Sequence, residues 1–170
     1  FHREENVQNK KKLNEFLNII NYLADKYKNP ILISTHPRLK KILSFNKKRI
    51  NKFIKFHKPF SFTEYLSLQL ASKLVISDSG SIPEETSILN LKSIILRDTF
   101  ERQEILSQST CIVSPIKKKN IKKILEVESN TNKKIKKKLV EYENPSFSNH
   151  LSRIIVSKIE YINKYIWNKI

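Results

Sequence analysis

Five short apolar runs, set apart by helical stretches, constrain this chain more than any other feature of its sequence. They are Ile31 to Thr35, Lys52 to Phe56, Leu74 to Ser77, Ser93 to Leu96 and Cys111 to Ser114. Each is too short for a buried helix and carries the branched residues that suit a strand. Before the first run, Leu13, Phe16, Leu17, Ile20, Leu23, Ala24 and Tyr27 repeat at helical spacing, and Asn29-Pro30 ends the stripe. Helices are also expected from Pro37 to about Phe45, over Thr63 to Ser72, Glu84 to Leu89, Glu101 to Ser107, Lys118 to Glu128 and Lys133 to Tyr142. Strands that alternate with helices make βαβ units, so the expected fold is α/β: a parallel sheet with helices on both faces. No internal repeat is visible.

The chain divides on this reading into a sheet domain over residues 1–145 and a tail over residues 146–170. After Asn144-Pro145, the residues Phe147, Leu151, Ile154, Ile155, Ile159, Ile162 and Ile166 form one stripe along roughly 24 residues, about 36 Å as an α-helix. That length suits a helix that reaches onto another domain with Tyr165 and Trp167 as contacts, or a kinked helix that folds back on its own sheet. The sequence opens with Phe1 directly on a motif, so the expectation is a fragment whose first strand is cut. No strictly apolar run exceeds three residues, which excludes a membrane-spanning segment. The single cysteine, Cys111, excludes an internal disulfide and a cysteine-rich zinc site.

The net charge of +17 invites a nucleic-acid reading, but its composition argues against one. Of 33 basic residues 27 are Lys and six Arg, beside 24 Ile and 16 Asn. Bidentate phosphate and base contacts favour Arg, whereas this joint excess of Lys, Ile and Asn has the look of compositional drift. The densest stretch, Ile116 to Val140, has no aromatic side chain for base stacking. The lysines are expected on solvated helix faces.

Gly80 is the only glycine in the chain. It lies in Asp78-Ser79-Gly80-Ser81, after the third run and before a helix. A glycine there allows positive φ or close approach of a ligand, and open amides with serine hydroxyls suit a phosphate group. An ordinary turn from strand to helix would look the same. Arg97 to Glu104 follows the next run, and ligands of parallel sheets bind beyond the C-terminal strand ends. Arg102 is therefore expected to face the same anion as Gly80, and Glu85 to accept from a sugar hydroxyl. Arg97 and Asp98 could equally pair with each other or with Glu101. His2 and Arg3 would lie at the same end if a strand precedes them, and histidine is suited to proton transfer. His36 precedes Pro37, where a turn or cap is the simpler role. No His/Asp/Glu group has metal-ligand spacing.

In combination, His2-Arg3-Glu4-Glu5-Asn6, His36-Pro37, Asp78-Ser79-Gly80 with Glu84-Glu85, and Arg97 with Glu101-Arg102-Gln103-Glu104 resemble the C-terminal half of the non-hydrolysing UDP-N-acetylglucosamine 2-epimerases. Ser34 to Arg38, Glu85 to Asn90, and Arg153-Ile154-Ile155 with Tyr161-Ile162-Asn163 and Trp167 are similar to the branch that makes UDP-N-acetyl-L-fucosamine for capsule or O-antigen. The resemblance implies the C-terminal Rossmann-like domain of a cytoplasmic GT-B enzyme. Its reaction inverts C2 of a UDP-2-acetamido sugar by loss and re-addition of UDP, without metal or redox cofactor. It implies His2 as the active-site histidine, Ser79, Gly80 and Ser81 on phosphate, Glu85 on the ribose hydroxyls, and Arg102 on phosphate or sugar. Tyr65 would lie beside uracil and Phe60 would offer a main-chain contact to it. The implied partners are a missing N-terminal domain, which supplies the carboxylates that move the C2 proton, and a second copy in a homodimer. The fragment alone is then expected to be inactive.

Departures from the family pattern are Ser81 for its second Gly, Pro83 for Gln, Gln103 for Pro and Tyr65 for Phe. Three other readings stay open at this point: the donor-binding half of a GT-B glycosyltransferase, a basic nucleic-acid-binding protein, and a decaying gene remnant.

Overall fold

In the computed structural model, residues 3–35, 50–102, 111–130 and 145–169 are described. The expected helices over 37–45, 103–107 and 133–142 lie outside them, and Glu101 and Arg102 are not helical. The chain forms two compact units, Phe1–Leu139 and Val140–Ile170.

In the first unit α1 (Glu4–Val7) leads into α2 (Lys10–Tyr27), β1 (Ile31–Ser34), β2 (Ile54–His57), α3 (Phe62–Ala71) and β3 (Val75–Ser77). Then follow α4 (Ile82–Ile88), β4 (Ser93–Leu96), β5 (Ile112–Ser114) and α5 (Lys118–Asn130). Among the described residues all strand pairs are parallel: β1 lies beside β2, and β4 lies between β3 and β5. The α/β expectation holds, with parallel sheets and helices on both faces.

Alternation along β4 shows how both faces are used. Ile94 and Leu96 join Leu17, Ile20, Leu23 and Ala24 of α2 and Ile121 and Leu125 of α5 in one core. The opposite side chains, Ser93 and Ile95, are buried as well, and the Ser93 hydroxyl lies 2.9 Å from that of Thr86 on α4. A strand covered on both sides needs no polar alternation, which is why its bounds were readable in the sequence.

Local chemistry fixes the helix ends. The Asn9 side chain accepts from the amides of Lys11 and Lys12 at 3.0 and 3.2 Å, and Lys28 closes α2 in the left-handed conformation at φ 52°. Asn9→Ala is expected to lower stability by about 1 kcal/mol, a shift readable in a urea melt. Ser61 and Glu64 form a reciprocal capping box on α3. The Ser61 side chain and then its amide hold the Glu64 carboxyl below the usual range, so this support fades as pH falls through that lowered value. The amide of Lys118, at the start of α5, donates to Glu15 of α2 at 3.0 Å.

β2 begins two residues later than the pattern predicts. The Asn51 side chain accepts from the Phe53 amide at 3.0 Å and its carbonyl accepts from Ile54 at 2.9 Å, so Lys52 and Phe53 are spent on a turn.

The second unit holds α6 (Phe147–Tyr161), which widens into a π-helical turn over Ile162–Ile166. The expected single α-helix is therefore shorter. Its stripe residues Phe147, Leu151, Ile154, Ile155, Ile159 and Ile166 are all exposed.

Candidate functional site

β3 and β4 run side by side with Ser77 opposite Ile95, so the residues that follow them emerge at one end of the sheet. Asp78 follows β3 and Arg97 follows β4. Asp78 is fully buried, and its carboxylate accepts from the Arg3 amide at 3.0 Å and from the Asn6 amide group at 3.1 Å. Its carbonyl accepts from Arg3 Nε at 3.0 Å and from Arg97 Nε at 3.3 Å. The segment before α2 is thus fastened to the β3 end, as the expectation that both lie on one face requires. His2 lies outside the described residues.

Neither pairing expected for Arg97 and Asp98 occurs. Arg97 is buried and donates to the Asp78 carbonyl, while Asp98 pairs with Lys12 at 2.7 Å. Lys12 also donates to Asn6 at 3.2 Å. A small polar cleft beside them is lined by Arg3, Glu5, Lys12, Arg97, Asp98 and Thr99, among others.

Gly80 sits in the turn between β3 and α4, with Arg102 donating to its carbonyl. Its φ is not positive, so one of the two reasons expected for a glycine does not apply. The protein's own packing does not demand it either, since a Cβ would stand 3.4 Å from Arg97 Nη2 and 3.9 Å from Arg102 Nη1. What the missing side chain leaves open is the space facing two guanidinium groups. Those groups, rather than the dipole of the seven-residue α4, supply the positive charge at this turn. Ser79 and Ser81 add hydroxyls 3.1 Å apart, and Ser81, the residue before α4, makes no capping bond with its side chain. Arg102 is held from its other side by Glu84 Oε1 at 2.8 Å, and Glu84 Oε2 is buried without a partner among the described residues.

Glu85, next along α4, is half-buried and accepts from Gln69 Nε2 of α3 at 2.6 Å. Tyr65, one turn before Gln69, is half-buried, and burial together with the Glu85 charge raises its hydroxyl above the ordinary tyrosine value. The structure therefore brings Tyr65 to Glu85, and Arg102 to Gly80. Phe60 engages a different neighbour: its ring stacks on His57 with centroids 4.4 Å apart and planes 2° from parallel. Cys111 is no nucleophile, because burial, and then the Glu84 charge, push its thiol up to about 12.

Sequence reasoning gave no site role to Asp78, Asn6 or Gln69. Asp78 could have been suspected from its place at a strand end, whereas nothing marks Gln69 in the apolar stretch Leu66 to Leu70. Among the described residues no group of His, Cys, Asp and Glu could hold a metal ion, and no helix is long and apolar enough to cross a membrane.

Residues 1–160 match the family model described as UDP-N-acetylglucosamine 2-epimerase. The UDP-N-acetylglucosamine 2-epimerase of Methanococcus maripaludis is 32% identical over 160 residues, 92% of this chain and 42% of that protein. Its counterpart from Methanocaldococcus jannaschii is 36% identical over 130 residues, 74% of this chain and 36% of that protein. The crystal structure of the Methanocaldococcus jannaschii enzyme in complex with UDP-GlcNAc and UDP superposes with a TM-score of 0.78. It is 33% identical and covers 92% of this chain and 43% of its own. The Rickettsia bellii enzyme gives a TM-score of 0.78 at 34% identity, covering 95% of this chain and 45% of its own. The chain spans about two fifths of the length of these relatives.

Proposed function

The chain belongs to the UDP-N-acetylglucosamine 2-epimerase family, and from that premise we propose that it binds the uridine diphosphate moiety of a UDP-2-acetamido sugar. The observation that carries this reading is the open face of Gly80 turned toward the guanidinium groups of Arg97 and Arg102. In it the diphosphate lies on Ser79, Gly80, Ser81 and Arg102, and Glu85 accepts from the ribose hydroxyls. Tyr65 lies beside the uracil ring, Phe60 offers it a main-chain contact, and His2 reaches the diphosphate and sugar.

For the whole protein we propose the 2-epimerase reaction. The C2 proton leaves as the bond between C1 and UDP oxygen breaks, giving a glycal and UDP. A proton then returns to the opposite face of C2 as UDP adds back to C1. A second domain, in this reading, supplies the carboxylates for that proton and packs on the exposed stripe of α6, and two copies form the enzyme. The 170-residue chain by itself then binds UDP without epimerising. The segments Glu85 to Asn90 and Arg153 to Ile155 favour the UDP-N-acetyl-L-fucosamine branch, hence a cytoplasmic enzyme of capsule or O-antigen synthesis.

Calorimetric titration of UDP into the chain tests the nucleotide site. Binding is expected, weakened about tenfold by Glu85→Ala, the effect of one lost hydrogen bond to a charged group. A folded chain that takes up no UDP, or binds it equally well without Glu85, overturns the reading.

A further inference from the structure

We propose that Gln69 is a positioning residue that orients the Glu85 carboxylate for a ligand bearing a vicinal diol, and so sets selectivity for a ribose over its deoxy forms. The inference rests on the nucleotide reading above and adds to it a residue on a different element. Gln69 lies on α3 and is only 3% exposed, with its Nε2 2.6 Å from Glu85 Oε2. A carboxylate can only accept, so the amide must turn its NH2 toward Glu85 and its oxygen away. That oxygen is buried and has no partner among the described residues. A leucine here would pack without leaving a buried acceptor bare, so packing alone gives no reason for an amide. Binding one carboxylate oxygen does give one.

With Oε2 occupied, the half-buried Glu85 keeps Oε1, which makes no hydrogen bond among the described residues, to accept from a ligand. The Gln69 bond also limits rotation of the carboxylate plane. Two adjacent hydroxyls need an acceptor at a set distance and angle, so a loosened carboxylate loses much of the discrimination that a fixed one has. Tyr65, one turn before Gln69 on the same helix, feels the Glu85 charge and is also hydrogen-bonded by the Gln69 side chain, so the amide that holds Glu85 touches the aromatic residue as well. The three residues thus form one cluster in which Gln69 links α3 to α4.

The test compares two ligands, UDP and 2′,3′-dideoxy-UDP, on the 170-residue chain and its Gln69→Leu variant. Gln69→Leu is expected to bind UDP about fivefold more weakly and the dideoxy ligand unchanged, because only the ribose hydroxyls use the oriented carboxylate. Equal losses for both ligands would mean a general packing defect and overturn the proposal, as would no loss for UDP. Thermal melting accompanies each titration, and Gln69→Met, with its unbranched side chain, carries the same comparison should the leucine variant melt early. Failure of the nucleotide reading is separately visible, since Glu85→Ala would then leave UDP binding unaltered.

Discussion

Replacing Asp78 with alanine is expected to remove about 2–6 kcal/mol of stability, because it leaves two donors without their acceptor at about 1–3 kcal/mol each. The carboxylate is fully buried and accepts from the Arg3 amide and the Asn6 side chain. Both donors would keep their desolvation cost and lose their acceptor. Asp78→Asn, which retains one carbonyl acceptor and nearly the same volume, should lose less than half as much. Since folded domains hold only about 5–15 kcal/mol in reserve, the alanine variant should melt far earlier in urea, followed by circular dichroism. A midpoint matching that of the parent would show that Asp78 does not fasten the two segments.

Gly80→Ala is expected to do the opposite: to leave stability within about 1 kcal/mol and to weaken UDP binding by more than about a hundredfold. The backbone at Gly80 is one that any residue adopts, and a Cβ meets Arg97 only at 3.4 Å, an ordinary contact. A phosphate oxygen bridging Arg97 and Arg102 would have to occupy that same space. The methyl group would cost two charge-assisted hydrogen bonds, each worth about 1.5–3 kcal/mol. Calorimetry with UDP, beside a melt of the same sample, separates the two effects. An alanine variant that binds as tightly as the parent would place the diphosphate elsewhere.

Legibility in the sequence followed the range of the interactions involved. β4 was readable to the residue because its four positions are all buried, and the α2 stripe because one helix face supplies the core. The start of β2 was not, because Asn51 folds a turn through its own side chain where composition suggests strand. Gly80 was found at the right place, and of the two reasons offered only close approach agrees with its φ. Gln69 was invisible for a plainer reason. α3 is apolar on most of its surface, so the pattern has no contrast by which to assign a polar residue to the inside. The hydrogen bond from Arg3 to Asp78 crosses 75 residues, and no local spacing encodes such a pair.

That same span has a consequence for folding kinetics. Closing a loop of this length is entropically slow compared with forming α2 or the β1–β2 pair, so the anchor at Asp78 should form late, after β3 and β4 have aligned. Binding competence then arrives with the last step of folding and departs with the first step of unfolding. In hydrogen exchange, the Arg3 amide should open well before those of α2, and a bound nucleotide should slow the first event more than the second.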